Sequence, residues 1–152
     1  MDWTLVTAMG EAVKLFIASG IFHPDAGGPA TYLYELLPEV VKAGWEVRAQ
    51  AYGTGTTQPY PYPVRRVPRR ILPLRLLHYA LAARSQLDWA DLVYVHTLGL
   101  PLYGSRKAPR VLKIVGDQAW ERSIRKGWIA ATEDIDVFQQ KNYNMIVVSG
   151  PM

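Results

Sequence analysis

The stretch His23-Pro24-Asp25-Ala26-Gly27-Gly28-Pro29 holds the densest concentration of chemically useful residues in the chain. Two adjacent glycines let a backbone approach a ligand that a side chain would block. A helix starting at Pro29 would add unpaired N–H groups and partial positive charge at the same place, which suits a phosphate. A tight turn without any ligand satisfies the same spacing. His23 sits within this loop and could reach a cleft beside it. His96 closes a short apolar run, residues 91–96, and reads either as a ligand contact or as a packed, hydrogen-bonded histidine.

Other chemistries are excluded by what is missing. The 152 residues contain no cysteine, so disulfides, thiolate metal sites and cysteine nucleophiles are ruled out, and a reducing compartment fits. His23, His78 and His96 are scattered, and no His-Glu-x-x-His occurs, so no metal is expected. Neither a phosphate-loop Gly-x-x-x-x-Gly-Lys-Ser/Thr nor the Gly-x-Ser-x-Gly of a serine hydrolase is present. Gly53-Thr54-Gly55 is followed by a proline-rich loop rather than a helix, which removes it as a dinucleotide signature.

The net charge of +4 is unevenly spread. Seven arginines and no acid lie between Val47 and Leu87, so that segment carries +7 and the remainder −3. Arg65, Arg66, Arg69, Arg70 and Arg75 form its basic surface. They could face phosphates, anionic lipid or nucleic acid, or solvate a loop and a helix face. No nucleic-acid recognition motif accompanies them, and nucleic acid is not an expected partner. No run approaches 18 apolar residues and the first twenty lack a secretory pattern, so the expected location is cytoplasmic, with peripheral contact at the inner membrane face as an extension of the basic segment.

The elements that must position these residues follow from periodicity. Residues 1–13 show no period and read as an irregular N-terminal extension. Lys14–Ile21 reads as a buried strand. Pro29–Ala43 reads as a helix carrying Leu33, Leu36, Leu37, Val40 and Val41 on one face, with Pro38 as a kink and Gly44 as its stop. Trp45–Tyr52 alternates as a half-buried strand, with Val47, Ala49 and Ala51 on one side and Glu46, Arg48 and Gln50 on the other. A short strand at Val64–Val67 precedes a helix over Leu74–Gln86, with Leu74, Leu77 and Leu81 on one face and Arg75 and Arg84 outward. Strands at Asp91–His96 and Val111–Val115, a helix over Thr132–Lys141 and a strand at Met145–Ser149 complete the chain. Strands alternating with helices imply an α/β, Rossmann-like, doubly wound, mostly parallel sheet, whose ligands sit beyond the carboxyl ends of the strands.

Lys14–Gly53 (KLFIASGIFHPDAGGPATYLYELLPEVVKAGWEVRAQAYG), Ala90–Pro101 (ADLVYVHTLGLP) and Ala108–Glu121 (APRVLKIVGDQAWE) together resemble the N-terminal domain of family-4 retaining glycosyltransferases, of GT-B fold. The resemblance spans about residues 14–144. It implies that residues 14–152 are the acceptor-side half of a two-domain enzyme that passes sugar from a nucleotide sugar to a sugar or lipid-linked acceptor, without a metal or other cofactor. In the family a C-terminal domain holds the donor, and that domain is the missing partner here. The tail MIVVSGPM resembles the last N-domain strand but lacks the helix that normally precedes it, so a truncated chain, inactive alone, is expected.

Carried over by resemblance, Gly27 and Gly28 match the pair that approaches the donor phosphates. Asp117 stands near the transferred sugar as the candidate catalytic carboxylate, or as a cap for the helix Ala119–Arg125. His23, His96, Trp120 and Glu121 are candidate acceptor contacts. For Glu121 the other reading is a surface carboxylate, and for Trp120, crevice packing. The alternative function is a non-catalytic binding or self-association module, a homo-oligomer formed through the domain face left exposed.

Overall fold

The computed structural model describes residues 11–55, 59–103, 107–113 and 118–130. The chain divides into two compact units, Met1–Val115 and Gly116–Met152. In the first, β1 (Lys14–Ala18), α1 (Gly28–Lys42), β2 (Glu46–Tyr52), β3 (Val64–Val67), α2 (Leu72–Trp89), β4 (Leu92–Val95) and β5 (Arg110–Leu112) follow one another. The described part of the second holds α3 (Gln118–Arg125). The helix expected over Thr132–Lys141 and the strand over Met145–Ser149 lie outside the described residues.

The five strands form one sheet in the order β3-β2-β1-β4-β5, and every pairing is parallel. This is the α/β, Rossmann-like architecture that strand–helix alternation implies. Strand order reverses between β1 and β4, the topological switch of such sheets. β1 is central because it is apolar on both faces. Leu15 and Ile17 pack with Leu33 and Leu37 of α1, while Phe16 and Ala18 pack with Tyr79, Ala83 and Leu87 of α2. Burying a side chain such as Phe16 or Ile17 contributes about 1.5–3 kcal/mol.

α1 begins with Pro29 in its first turn and stops at Gly44, whose φ of +91° only glycine adopts cheaply. Pro38 lies within it. The N–H that Pro38 lacks would have bonded the carbonyl of Tyr34, on the exposed side, where solvent can serve that group.

Two expectations need correcting. β2 is covered on both faces: Gln50 is fully buried and donates to the carbonyl of Tyr79 at 2.9 Å, and Arg48 lies 3.9 Å over the Trp89 ring. Its polar side is therefore the contact with α2, not a solvated edge. In α2, Arg75 turns inward, 5.2 Å over the ring of Tyr52, while Leu74, Leu77 and Leu81 are exposed. The buried face is Tyr79, Ala83 and Leu87, because the Tyr79 hydroxyl reaches the carbonyls of Ser19 and Gln50 at 3.1 and 3.0 Å.

Candidate functional site

The carboxyl ends of β1 and β4 meet at the switch in strand order. The chain leaves β1 through Ser19 and Gly20, and leaves β4 through His96 and Thr97. The His96 amide donates to the carbonyl of Ala18 at 2.8 Å, continuing the ladder one residue past β4. Thr97 then joins the two ends: its Oγ1 accepts from the Gly20 amide at 2.8 Å and donates to the His96 carbonyl at 2.7 Å. A Cβ on Gly20 would stand 3.0 Å from Cγ2 and Oγ1 of Thr97, so a glycine permits this approach.

His96 is 3% exposed, and neither ring nitrogen has a hydrogen-bond partner among the described residues. Buried polar groups are nearly always paired, and an orphan costs about 1–3 kcal/mol. Burial holds the imidazole below the usual histidine range, and the nearby charge of Lys113 pushes the same way. At neutral pH the ring therefore offers one donor and one acceptor, both unused. Tyr32 of α1 lies 5.4 Å from it and Tyr94 of β4 5.8 Å, ring centre to ring centre. Lys113 Nζ caps Tyr32 at 3.4 Å. Burial, followed by the hydrogen bond to Tyr32, raises the Tyr94 hydroxyl well above the ordinary tyrosine value.

The two glycines of the loop before α1 have different surroundings. Gly27 has φ +149°, and a Cβ there would stand 2.8 Å from Cδ1 of Ile21, whereas nothing lies within 4 Å of the corresponding point on Gly28. Of the amides expected to face an anion, Pro29 has none and Thr31 donates to the Gly27 carbonyl at 3.1 Å. Ala30 is buried and Gly28 is exposed. Asp25, in the same loop, pairs with Arg69 at 2.7 Å.

His23 is held in an aromatic nest. Its ring stacks on Tyr34 with centroids 4.0 Å apart. The Tyr60 hydroxyl donates to the His23 carbonyl at 2.6 Å and lies 3.3 Å from Nδ1. Arg66 donates to the carbonyls of Phe22 and His23. Beside this nest, a cleft of about 510 Å³ is lined by Gly53, Thr54, Gly55, Tyr60, Tyr62, Val64, Arg66 and Pro68. The Tyr62 hydroxyl and Arg66 Nε are buried there without partners among the described residues, and burial raises the Tyr62 hydroxyl far above its ordinary value.

The arginines of the basic segment have different partners. Arg65 donates to the Ala82 carbonyl at 3.0 Å, Arg66 and Arg69 tie the loop 22–25 to β3 and its end, and Arg75 covers Tyr52. Arg70 has no acidic partner among the described residues. Asp117 lies outside the described residues. Trp120 and Glu121 lie on α3 in the second unit. His23 and His96 therefore serve separate surroundings, one beside the β2–β3 cleft and one in the β1–β4 crevice. Gly20, Tyr32, Thr97 and Lys113 were not apparent from sequence. Among the described residues, no group of three or more His, Asp or Glu could hold a metal ion, and no helix is long and apolar enough to cross a membrane. Comparison of the sequence with models of known families and with curated proteins finds no match.

Proposed function

We propose that the chain is the acceptor-binding half of a nucleotide-sugar-dependent retaining glycosyltransferase, with the acceptor hydroxyl held at His96. The observation that carries this reading is a buried histidine with both nitrogens unpaired, standing at the switch between β1 and β4. A sugar hydroxyl is donor and acceptor at once, as a neutral imidazole is, so the two can satisfy each other. Tyr32 covers the ring, and its rotation off the surface admits the ligand. Gly28 lends one amide to a donor phosphate. Catalysis is then placement and charge stabilisation, with the donor's leaving phosphate taking the acceptor proton. Nucleotide sugar, acceptor and a donor-holding domain are the partners of this reading, and its location is cytoplasmic.

The test is a titration of the chain with a panel of mono- and disaccharides, followed by NMR at the His96 ring and at the Gly20 and Thr97 amides. Binding should move those signals, and His96→Leu should abolish the response. Perturbation confined to the β2–β3 cleft, or none with any saccharide, would remove the assignment.

A further inference from the structure

The outer side of α2 exposes leucines along its N-terminal half. Tyr79, Ala83 and Leu87 turn into the core. On the opposite side Leu74, Leu77 and Leu81 recur at three- and four-residue spacing and are 41%, 53% and 57% exposed. Ile71 and Leu72, where the helix starts, are exposed as well. Single exposed leucines are ordinary, but Leu74, Leu77 and Leu81 line one side of the helix as a ridge about 10 Å long, with the exposed Ile71 just before its start.

The charge around the ridge indicates the neighbour. Arg70 precedes Ile71, and Arg84 follows Leu81 by three residues; both are exposed, and neither has an acidic partner among the described residues. Arg65 is anchored alongside through the Ala82 carbonyl. No Asp or Glu occurs from Val47 to Leu87, and Asp88 is the first acid beyond. A second copy would bring arginines together along the leucines, where the first acid, Asp88, stands a full turn beyond Arg84. A peptide helix docks in a groove, and the cleft described above is lined from β3 and its flanking loops, not from α2. A bilayer accepts a ridge without a complementary groove.

We propose that α2 lies in the interface of an anionic lipid bilayer, with Ile71, Leu74, Leu77 and Leu81 at the acyl boundary and Arg70 and Arg84 at the headgroup phosphates. Leucine insertion supplies the apolar half of the affinity, and the arginines select negative headgroups. This surface stands whether or not the β1–β4 crevice handles a sugar.

The experiment is co-sedimentation of the full chain with vesicles of phosphatidylcholine alone and of phosphatidylcholine with roughly one-third phosphatidylglycerol. Binding is expected to the anionic vesicles only and to weaken with salt. Leu77→Asp/Leu81→Asp should lower the partition coefficient about tenfold or more, and Arg70→Ala/Arg84→Ala by a similar factor. All four positions are exposed, so circular dichroism should show both variants folded. No binding to the anionic vesicles overturns the proposal and leaves an acidic protein partner for the ridge. Equal binding to the neutral vesicles, or binding that the Asp variant retains, also overturns it. A dimer in sedimentation that Leu77→Asp/Leu81→Asp dissolves would do the same, by assigning the ridge to a second copy.

Discussion

A methyl group added at Gly27 would press on Cδ1 of Ile21 in a backbone with φ +149°, whereas one added at Gly28 meets nothing within 4 Å. Gly27→Ala should therefore cost about 1–2 kcal/mol in urea unfolding, and Gly28→Ala should leave stability unchanged or raise it by a few tenths. Equal losses for the two would contradict the loop geometry. His96 makes the opposite kind of prediction. Its nitrogens bond nothing among the described residues, so His96→Leu removes an unmet desolvation cost and should be neutral or stabilising by about 1 kcal/mol at pH 7, while any crevice ligand is lost. The pH dependence has a definite sign. Burial lowers the folded-state value below the ordinary 6.5. Above that value the ring is neutral in both states. As pH falls through it, the unfolded chain takes up the proton first, and stability drops until the folded-state value is reached. Denaturation at pH 7 and at about 5.5 should show this loss in the parent chain and a smaller one in His96→Leu. His96 was readable from sequence because it ends a strand. Tyr32, Thr97 and Lys113 were not, because their meeting depends on β1 pairing with β4; the Gly20–Thr97 bond alone joins residues 77 apart.

The elements show where periodicity suffices and where it cannot. β1, α1, β2, β3 and β4 fall within a few residues of their expected spans, because short apolar runs bounded by glycine and proline leave little choice. α2 is different. Leu74, Leu77 and Leu81 on one side and Tyr79, Ala83 and Leu87 on the other have equally good helical spacing, and local pattern favours the leucines as core. Tyr79 decides otherwise. Its hydroxyl shares one proton between the Ser19 and Gln50 carbonyls, and its own carbonyl accepts from Gln50. That clasp joins the helix to two strands and exists only once β1 and β2 are paired. Tyr79→Phe keeps the ring and removes the donor, leaving the buried Ser19 carbonyl short of a partner. It should cost about 1–2 kcal/mol in equilibrium unfolding. A loss near zero would mean that ring packing alone orients α2.

Over the whole molecule, charge works against compactness. The segment from Val47 to Leu87 carries seven arginines without an acid, and it folds into β2, β3 and α2, side by side on one half of the sheet. Three ion pairs occur among the described residues, and one of the segment's basic groups, Arg69, has a close carboxylate at 2.7 Å; Arg48 reaches Glu46 only at 3.7 Å. Other arginines are accommodated by carbonyls and rings, which orient a guanidinium without neutralising it. Like charges concentrated by folding repel more in the native state than in the longer unfolded chain. Surface ion pairs contribute little to offset this. Screening should therefore stabilise the fold: raising NaCl from about 20 to 200 mM shortens the Debye length from roughly 20 to 7 Å, and the melting temperature should rise by a few degrees. Arg70→Glu/Arg84→Glu, at exposed positions without acidic partners, should raise stability at low salt and flatten the salt dependence. A melting temperature that falls with added salt would show instead that ion pairs, rather than repulsion, dominate this half of the sheet.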